Sequence, residues 1–337
     1  MTQATQTAAL ESRETIAVVD LGPSREGDAA AFAQAVRDVG EASRHLGFFF
    51  VRQHGVPQAL IDRMFEQTER FHALPLERKM AVQALQPSIG YLPLGGQTQR
   101  TYEYLYGPSK HPDRSASFYI RHEYAADHPD RLARRAWIRD NRWPADLPHF
   151  RETALEYYDA LSSVARRILT LQACALGLPP DYLTEHDAFR SGEHTLRLLH
   201  YPAADAALEG QYGIGPHCDY GYGSILAQSS LPGLEVLTRA NEWVQAPALA
   251  GHLLFNNGDM CQRWTNDTFR SAPHRVINRT GQTRHSIPFF VNPREDVQFT
   301  CFPGCSSAAN PPRYDAQSFG EALAERRKNY DLPKATA

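Results

Sequence analysis

The chain has 337 residues with 35 basic and 38 acidic side chains, a formal net charge of −3, so it can bury a large core and lacks the basic excess of a nucleic-acid scaffold. Its five cysteines are an odd number without C-x-x-C spacing in a chain too large to need disulfide staples, which points to a reducing cytoplasm. No apolar run approaches the roughly 18 residues that a membrane helix needs.

The first fifteen residues are polar, with neither the basic start nor the apolar centre of a signal peptide, and are expected to form a loose tail. Residues 16–20 then read as a short strand. Residues 29–46 carry apolar side chains at helical spacing, with Gly47 in position to end the helix. Phe48 to Val51 is expected to be a buried strand, and a second helix, 58–74, follows the turn 54–57. Between 86 and 148 the composition shifts to Pro, Gly, Tyr and Arg, which predicts long ordered loops with one helix around 131–139. The clearest helix is 150–176, where Ala154, Tyr157, Leu161, Val164, Ile168, Leu171 and Ala175 recur at steps of three and four before Gly177.

From Leu196 onward, short β-rich segments separated by Gly, Pro and Asn predict strands at 196–201, 223–228, 234–237, 251–256, 273–278 and 284–291. Such regular spacing suggests a sandwich or barrel. A helix over 319–330 is expected to pack on the core or to lid it.

His-x-Asp occurs three times. His111-Pro112-Asp113 and His128-Pro129-Asp130 have a central proline in loop sequence and read as surface turns. His217-Cys218-Asp219 instead precedes a β-rich run, where residues i and i+2 share a face, so imidazole and carboxylate can fill adjacent positions on one metal. His274, in a β-branched segment 55 residues beyond Asp219, is the best third ligand. Two imidazoles and one carboxylate with an open side suit Fe(II) that must admit oxygen. A hydrolytic zinc site would present H-E-x-x-H on a helix, and that motif does not occur. On spacing alone, ordinary half-buried histidines are an equally good reading.

Arg284-His285-Ser286 is the second element. Arg supplies 31 of the 35 cations, so an Arg-x-Ser match gains weight only from its place. A hairpin about 280–282 would set Asn278 opposite Arg284 and put His274 on their side, roughly 13 Å along the strand. An arginine fork plus a five-carbon diacid chelating the metal could fill that gap, with the Ser286 hydroxyl beside it. Tyr201, at the end of 196–201, could add a third hydrogen bond.

Together these segments resemble the isopenicillin N synthase-like 2-oxoglutarate and Fe(II)-dependent oxygenases. The resemblance rests on residues 16–21, 47–57 (GFFFVRQHGVP), 71–75 (FHALP) through Lys79, and Gly90-Tyr91. In the second half it rests on 197–202 (RLLHYP), 215–220 (GPHCDY), 258–264 (GDMCQRW), 272–276 (APHRV) and 284–290 (RHSIPFF). It implies a mainly β fold with flanking helices, the double-stranded β-helix or distorted jelly roll. The implied division is a flexible tail (1–14), a helix-rich N-terminal region (15–190), the jelly-roll core (191–296) and a C-terminal segment with a packing or lid helix (297–337).

The resemblance also makes His217, Asp219 and His274 the iron triad, and Arg284, Ser286 and Tyr201 the seat of the distal carboxylate of 2-oxoglutarate. Leu199 stands where many plant members have Asn, so the hydrogen bonding there does not transfer. The implied chemistry uses O2 and 2-oxoglutarate to oxidise an unactivated C–H of a small organic molecule, as in secondary metabolism, releasing succinate and CO2. Hydroxylation, desaturation and ring closure all fall within it. Two branches of the family keep R-x-S without using 2-oxoglutarate, so an oxidase of that type is the alternative; a metal-binding sensor on the same fold is a third reading. For substrate, the loop-rich stretch 90–121 offers Tyr91, Arg100, Tyr102, Tyr104, Phe118 and Arg121, with Phe290 from the R-x-S segment. Neither nucleic acid nor membrane is expected as a partner, and the oligomeric state is open.

Overall fold

Helical periodicity dominates the first half of the chain and strand alternation the second, and the layers of the fold follow that division. The computed structural model describes residues 15–22, 27–84, 89–98, 111–135, 137–203 and 210–327. Its helices are α1 (Ala29–His45), α2 (Gln58–Ala73), α3 (Leu76–Met80), α4 (Pro129–Leu132), α5 (Phe150–Ala175), α6 (Asp187–Arg190), α7 (Asp259–Trp264) and α8 (Phe319–Arg327). Asp28 starts α1, its carboxylate accepting from the N–H groups of Ala30 and Ala31 at 2.8 and 3.0 Å. Gly47 ends it at φ +77°, donating its N–H to the Ala42 carbonyl at 2.9 Å. α5 runs for 26 residues, about 39 Å, and α1 and α2 pack along it. Among the described residues no helix is long and apolar enough to cross a membrane.

The strands are β1 (Ala17–Asp20), β2 (Phe48–Arg52), β3 (Gly90–Leu92), β4 (Ala116–Arg121), β5 (Thr195–Tyr201), β6 (Ile214–His217), β7 (Gly223–Gln228), β8 (Leu234–Leu237), β9 (Trp243–Gln245), β10 (His252–Asn257), β11 (His274–Val276), β12 (Arg284–Val291), β13 (Gln298–Phe299) and β14 (Gln317–Ser318). A major sheet has eight strands in the order β1-β2-β10-β7-β12-β5-β4-β3; a minor sheet has four, β6-β11-β8-β9; and β13 pairs with β14. From β5 to β12 the chain passes repeatedly from one of the two larger sheets to the other, which makes the double-stranded β-helix that the sequence led one to expect.

Two cores result. One lies between the helices and the major sheet, with Phe49, Val51, Phe118, Leu196, Leu198, Ile287 and Phe289 of the sheet meeting Tyr157, Leu161 and Ile168 of α5. The other lies between the two sheets and takes Phe48, Phe50, Leu199, Tyr201, Val236, Leu254 and Val276. The run Phe48 to Val51 is apolar without alternation because its strand is buried on both faces.

Several expectations are corrected. The stretch 86–148 is more than loop: β3 and β4 pair there and extend the major sheet past β5. The helix expected over 131–139 is the single turn α4. The hairpin joining His274 to Arg284 does not form. β11 pairs with β6 and β8 in the minor sheet, whereas β12 pairs with β5 and β7 in the major one. Asn278 therefore faces no strand partner; its amide donates to the carbonyls of Pro202 and Gln282 in the crossing between sheets. Asp113 is not on a surface turn. It is 2% exposed, and its carboxylate accepts from the Gly215 N–H of β6 at 3.0 Å. His128 does serve a turn, accepting at Nδ1 from the Asp130 N–H to cap α4.

Gly47 offers a test of how tightly the layers meet. A Cβ there would sit on the carbonyl oxygen of Arg270, besides needing a left-handed backbone. Gly47→Ala should therefore cost about 2 kcal/mol or more in urea unfolding, whereas Gly281→Ala, at φ +67° but in open space, should cost about 1. Equal losses at both positions would show that the close approach is unimportant.

Candidate metal centre

His217 closes β6 and His274 opens β11, and the two residues are direct cross-strand partners. Side chains of such a pair lie on one face, and here the ring centroids are 4.2 Å apart. Each ring is oriented by the carbonyl two residues before it: Nδ1 of His217 lies 2.9 Å from Gly215 O, and Nδ1 of His274 lies 3.2 Å from Ala272 O. A carbonyl only accepts, so both Nδ1 atoms carry the proton and both Nε2 lone pairs are left for a metal. Phe48 packs edge-on against His274 at 5.4 Å.

Asp219 lies just past the end of β6. Its Oδ2 accepts from Ser224 Oγ of β7 at 2.6 Å and from Asn256 Nδ2 of β10 at 2.8 Å. Its Oδ1 is thereby turned to the histidines, 3.8 Å from each Nε2. Burial alone would push this carboxyl up; the flanking imidazoles and the two hydrogen bonds outweigh it and hold the group below its ordinary value. One donor atom from each residue lies within 4.8 Å of the others, and among the described residues no other group of His, Cys, Asp or Glu meets that standard.

Arg284 opens β12 and faces Tyr201 across the β5 pairing, its guanidinium carbon 5.1 Å from the phenol ring. The side chain is 1% exposed. Nε donates to Leu231 O at 3.1 Å and Nη2 reaches Gln228 Oε1 at 3.4 Å, but Nη1 is buried without a partner. No carboxylate among the described residues pairs with it. Ser286, two residues along on the same face, is also buried. His285 between them points to the helix layer, its Nε2 3.0 Å from His200 Nδ1, and burial lowers both of these rings to about 4.

The strand β7 links the two clusters. Ser224 holds Asp219 at one end and Gln228 touches Arg284 at the other, four residues or about 13 Å away on the same face. The interval expected of a hairpin thus exists, but across sheets.

The substrate expectations divide. Phe290 is the cross-strand partner of Ser224 and so shares the face that holds Asp219. Phe118 and Tyr91 lie on the opposite face, packed against Phe71 under the helices, and are core residues there. Arg121 is bound by Glu295 at 3.2 Å and Glu193 at 3.8 Å, and burial pushes Glu193 up to about 7 against the pull of Arg121. Its charge is met within the protein. Arg100, Tyr102 and Tyr104 lie outside the described residues. Sequence reasoning missed Ser224, Asn256 and Gln228. The available signal was a polar residue at an inward position of a strand.

Comparison with known proteins follows the same division of the chain. Residues 16–146 match the family described as non-haem dioxygenase in morphine synthesis N-terminal, and residues 192–293 match the 2OG-Fe(II) oxygenase superfamily. A 2-oxoglutarate-Fe(II) type oxidoreductase of Emericella nidulans, hxnY, is 33% identical, covering 95% of this chain and 97% of its own. Neurospora crassa T7H, solved in complex with alpha-KG (2-oxoglutarate) and thymine, is 26% identical with a TM-score of 0.82, over 94% of this chain and 97% of that one. A putative 2OG-Fe(II) oxygenase family protein from Caulobacter crescentus superposes with a TM-score of 0.80 at 28% identity, over 94% and 99%.

Ser224→Ala and Asn256→Ala should each weaken Fe(II) binding by about 10- to 100-fold in anaerobic calorimetry while the fold survives, because Asp219 loses the bond that aims it. His274→Ala should abolish tight binding. Wild-type affinity in both single variants of the supporting pair would contradict this account of Asp219.

Proposed function

The chain belongs to the 2OG-Fe(II) oxygenase superfamily, and within it we propose that His217, Asp219 and His274 hold Fe(II) while Arg284, Ser286 and Tyr201 receive the distal carboxylate of 2-oxoglutarate. The observation that carries the second half is the buried Arg284. A guanidinium withdrawn from water without a counter-charge costs several kcal/mol, and a bound dicarboxylate supplies what the described residues lack. The donor set of two neutral imidazoles and one carboxylate fits Fe(II).

When bound, Fe(II) and 2-oxoglutarate supply oxygen activation. In the hydroxylation case the balance is substrate C–H plus 2-oxoglutarate plus O2 giving substrate C–OH, succinate and CO2. The substrate is a small organic molecule that presents the C–H to be oxidised beside the triad. The chain's own residues position and shield. His217 and His274 present Nε2 to the metal because their Nδ1 atoms are engaged by carbonyls, which fixes ring orientation. Arg284 and Ser286 fix the far end of the co-substrate, so its near end is presented to the metal in one orientation. Phe48, packed edge-on against His274, and Val236, the cross-strand partner of His274, continue into the apolar core between the sheets and so make that side of the site apolar. Residues 191–296 act as the catalytic core, 15–190 supply its helical layer together with strands β1 to β4 of the major sheet, and the C-terminal segment from 297 contributes α8 as a packing or lid helix.

Oxygen uptake by the Fe(II)-loaded protein should require 2-oxoglutarate and yield succinate. Arg284→Met should raise the KM for 2-oxoglutarate by at least about 30-fold, the equivalent of about 2 kcal/mol for a lost charge pair. Sustained turnover without 2-oxoglutarate and without succinate would reject the co-substrate role and favour an oxidase.

A further inference from the structure

Register and burial identify a second buried arginine on the face that carries the site. Leu199 and Tyr201 of β5 point between the sheets, while Leu196 and Leu198 point to the helices. By alternation Arg197 points between the sheets, and it is only 7% exposed. Its guanidinium lies over the ring of its cross-strand partner Tyr119, 4.7 Å from the centroid, and Nη2 donates to Gln97 Oε1 at 3.1 Å. Nε is buried with no partner. Among the described residues no carboxylate lies within ion-pair reach of it.

The charges around it are already committed. Asp219 belongs to the metal cluster, and Glu193 and Glu295 are taken by Arg121. Arg284 stands four residues further along β5, opposite Tyr201, roughly 13 Å from Arg197. One five-carbon diacid anchored at Arg284 and at the metal cannot also neutralise Arg197. Two buried guanidinium groups on one face, neither with a counter-charge among the described residues, call for two anions.

Resting on the reading above, we infer that Arg197 is the specificity-determining residue for the organic substrate, and that this substrate is a small ring-bearing carboxylic acid whose carboxylate the Arg197 fork receives. Tyr119 below and Gln97 at the side hold the fork flat, which suits a planar monoanion better than a phosphate. Position sets the size. Arg197 lies one same-face step along the strand, about 7 Å, from the row Thr195, Phe290 and Ser224, and two strands across from Ser224, so the two Cα atoms are about 12 Å apart. After the reach of the arginine, the remaining gap accommodates roughly one ring between carboxylate and attacked C–H, with Phe290 against it.

The test is a thermal-shift panel of benzoic, phenylacetic, cyclohexanecarboxylic and 2-furoic acids, each paired with its primary amide. It is read on metal-free protein and on protein loaded anaerobically with Fe(II) and saturating 2-oxoglutarate. Acids should raise the Tm of the wild type and of Arg197→Lys more than their amides do. Arg197→Met should lose acid binding by about tenfold or more while keeping its affinity for 2-oxoglutarate, which Arg284→Met should lose. Removing an uncompensated buried charge should leave the unliganded Tm of Arg197→Met undiminished, whereas a purely structural arginine would lower it. The inference is overturned if no acid shifts the wild type, if amides match acids, or if Arg197→Met binds the acids normally. Loss of 2-oxoglutarate binding in Arg197→Met would reassign the residue to the co-substrate. Failure of wild-type protein to bind 2-oxoglutarate at all, with the acid preference intact, would count against the proposed function and not against Arg197.

Discussion

The carboxylate of Asp219 ties the two larger sheets together, and the candidate metal centre depends on that tie. One oxygen is held by β7 and β10 of the major sheet, and the other is turned to the histidines of β6 and β11 in the minor sheet. Facing sheets pack about 10 Å apart, a gap ordinarily filled by interdigitated apolar side chains. Here a buried anion stands in that gap. One of its oxygens is met by two neutral donors, and the other faces the Nε2 atoms of both histidines.

Charge placement elsewhere between the sheets follows from the same low-dielectric setting. Arg121 is neutralised by two acids of the chain and so serves the architecture. Arg284 and Arg197 are equally withdrawn from water but lack such partners among the described residues. The contrast separates an arginine whose charge the chain itself meets from two whose charge no described residue meets, a distinction their residue type and spacing do not make.

Much of this was legible in the sequence where the signal is local. The strand limits 223–228, 234–237 and 284–291 were read as they stand, and Gly47 and Gly177 end their helices at positive φ as expected. The pairing of His217 with Asp219 could be argued from period two, and His274, in its β-branched segment, joined them through the resemblance. Strand partners could not be argued so. A hairpin was the economical guess for 273–291, but the minor sheet had unfilled edges at β6 and β8 and β11 went there instead. Tyr91 and Phe118 pack under the helices, which was not legible for a related reason: an aromatic on a strand gives no hint of which face the helices cover. Asn256 was missed because the carboxylate it serves lies 37 residues away, and Ser224, although near Asp219 in the chain, because it reaches that carboxylate from a strand of the other sheet.

The passage of successive strands from sheet to sheet has a consequence for how the molecule comes to exist. Nearly every pairing in the jelly roll joins segments distant in sequence, so relative contact order is high and loop-closure entropy is spent before packing repays it. β6 and β11 meet only when the chain between them has folded over both sheets. The candidate centre is therefore complete only once both sheets have closed, and a fragment ending before β11 would carry His217 and Asp219 without His274.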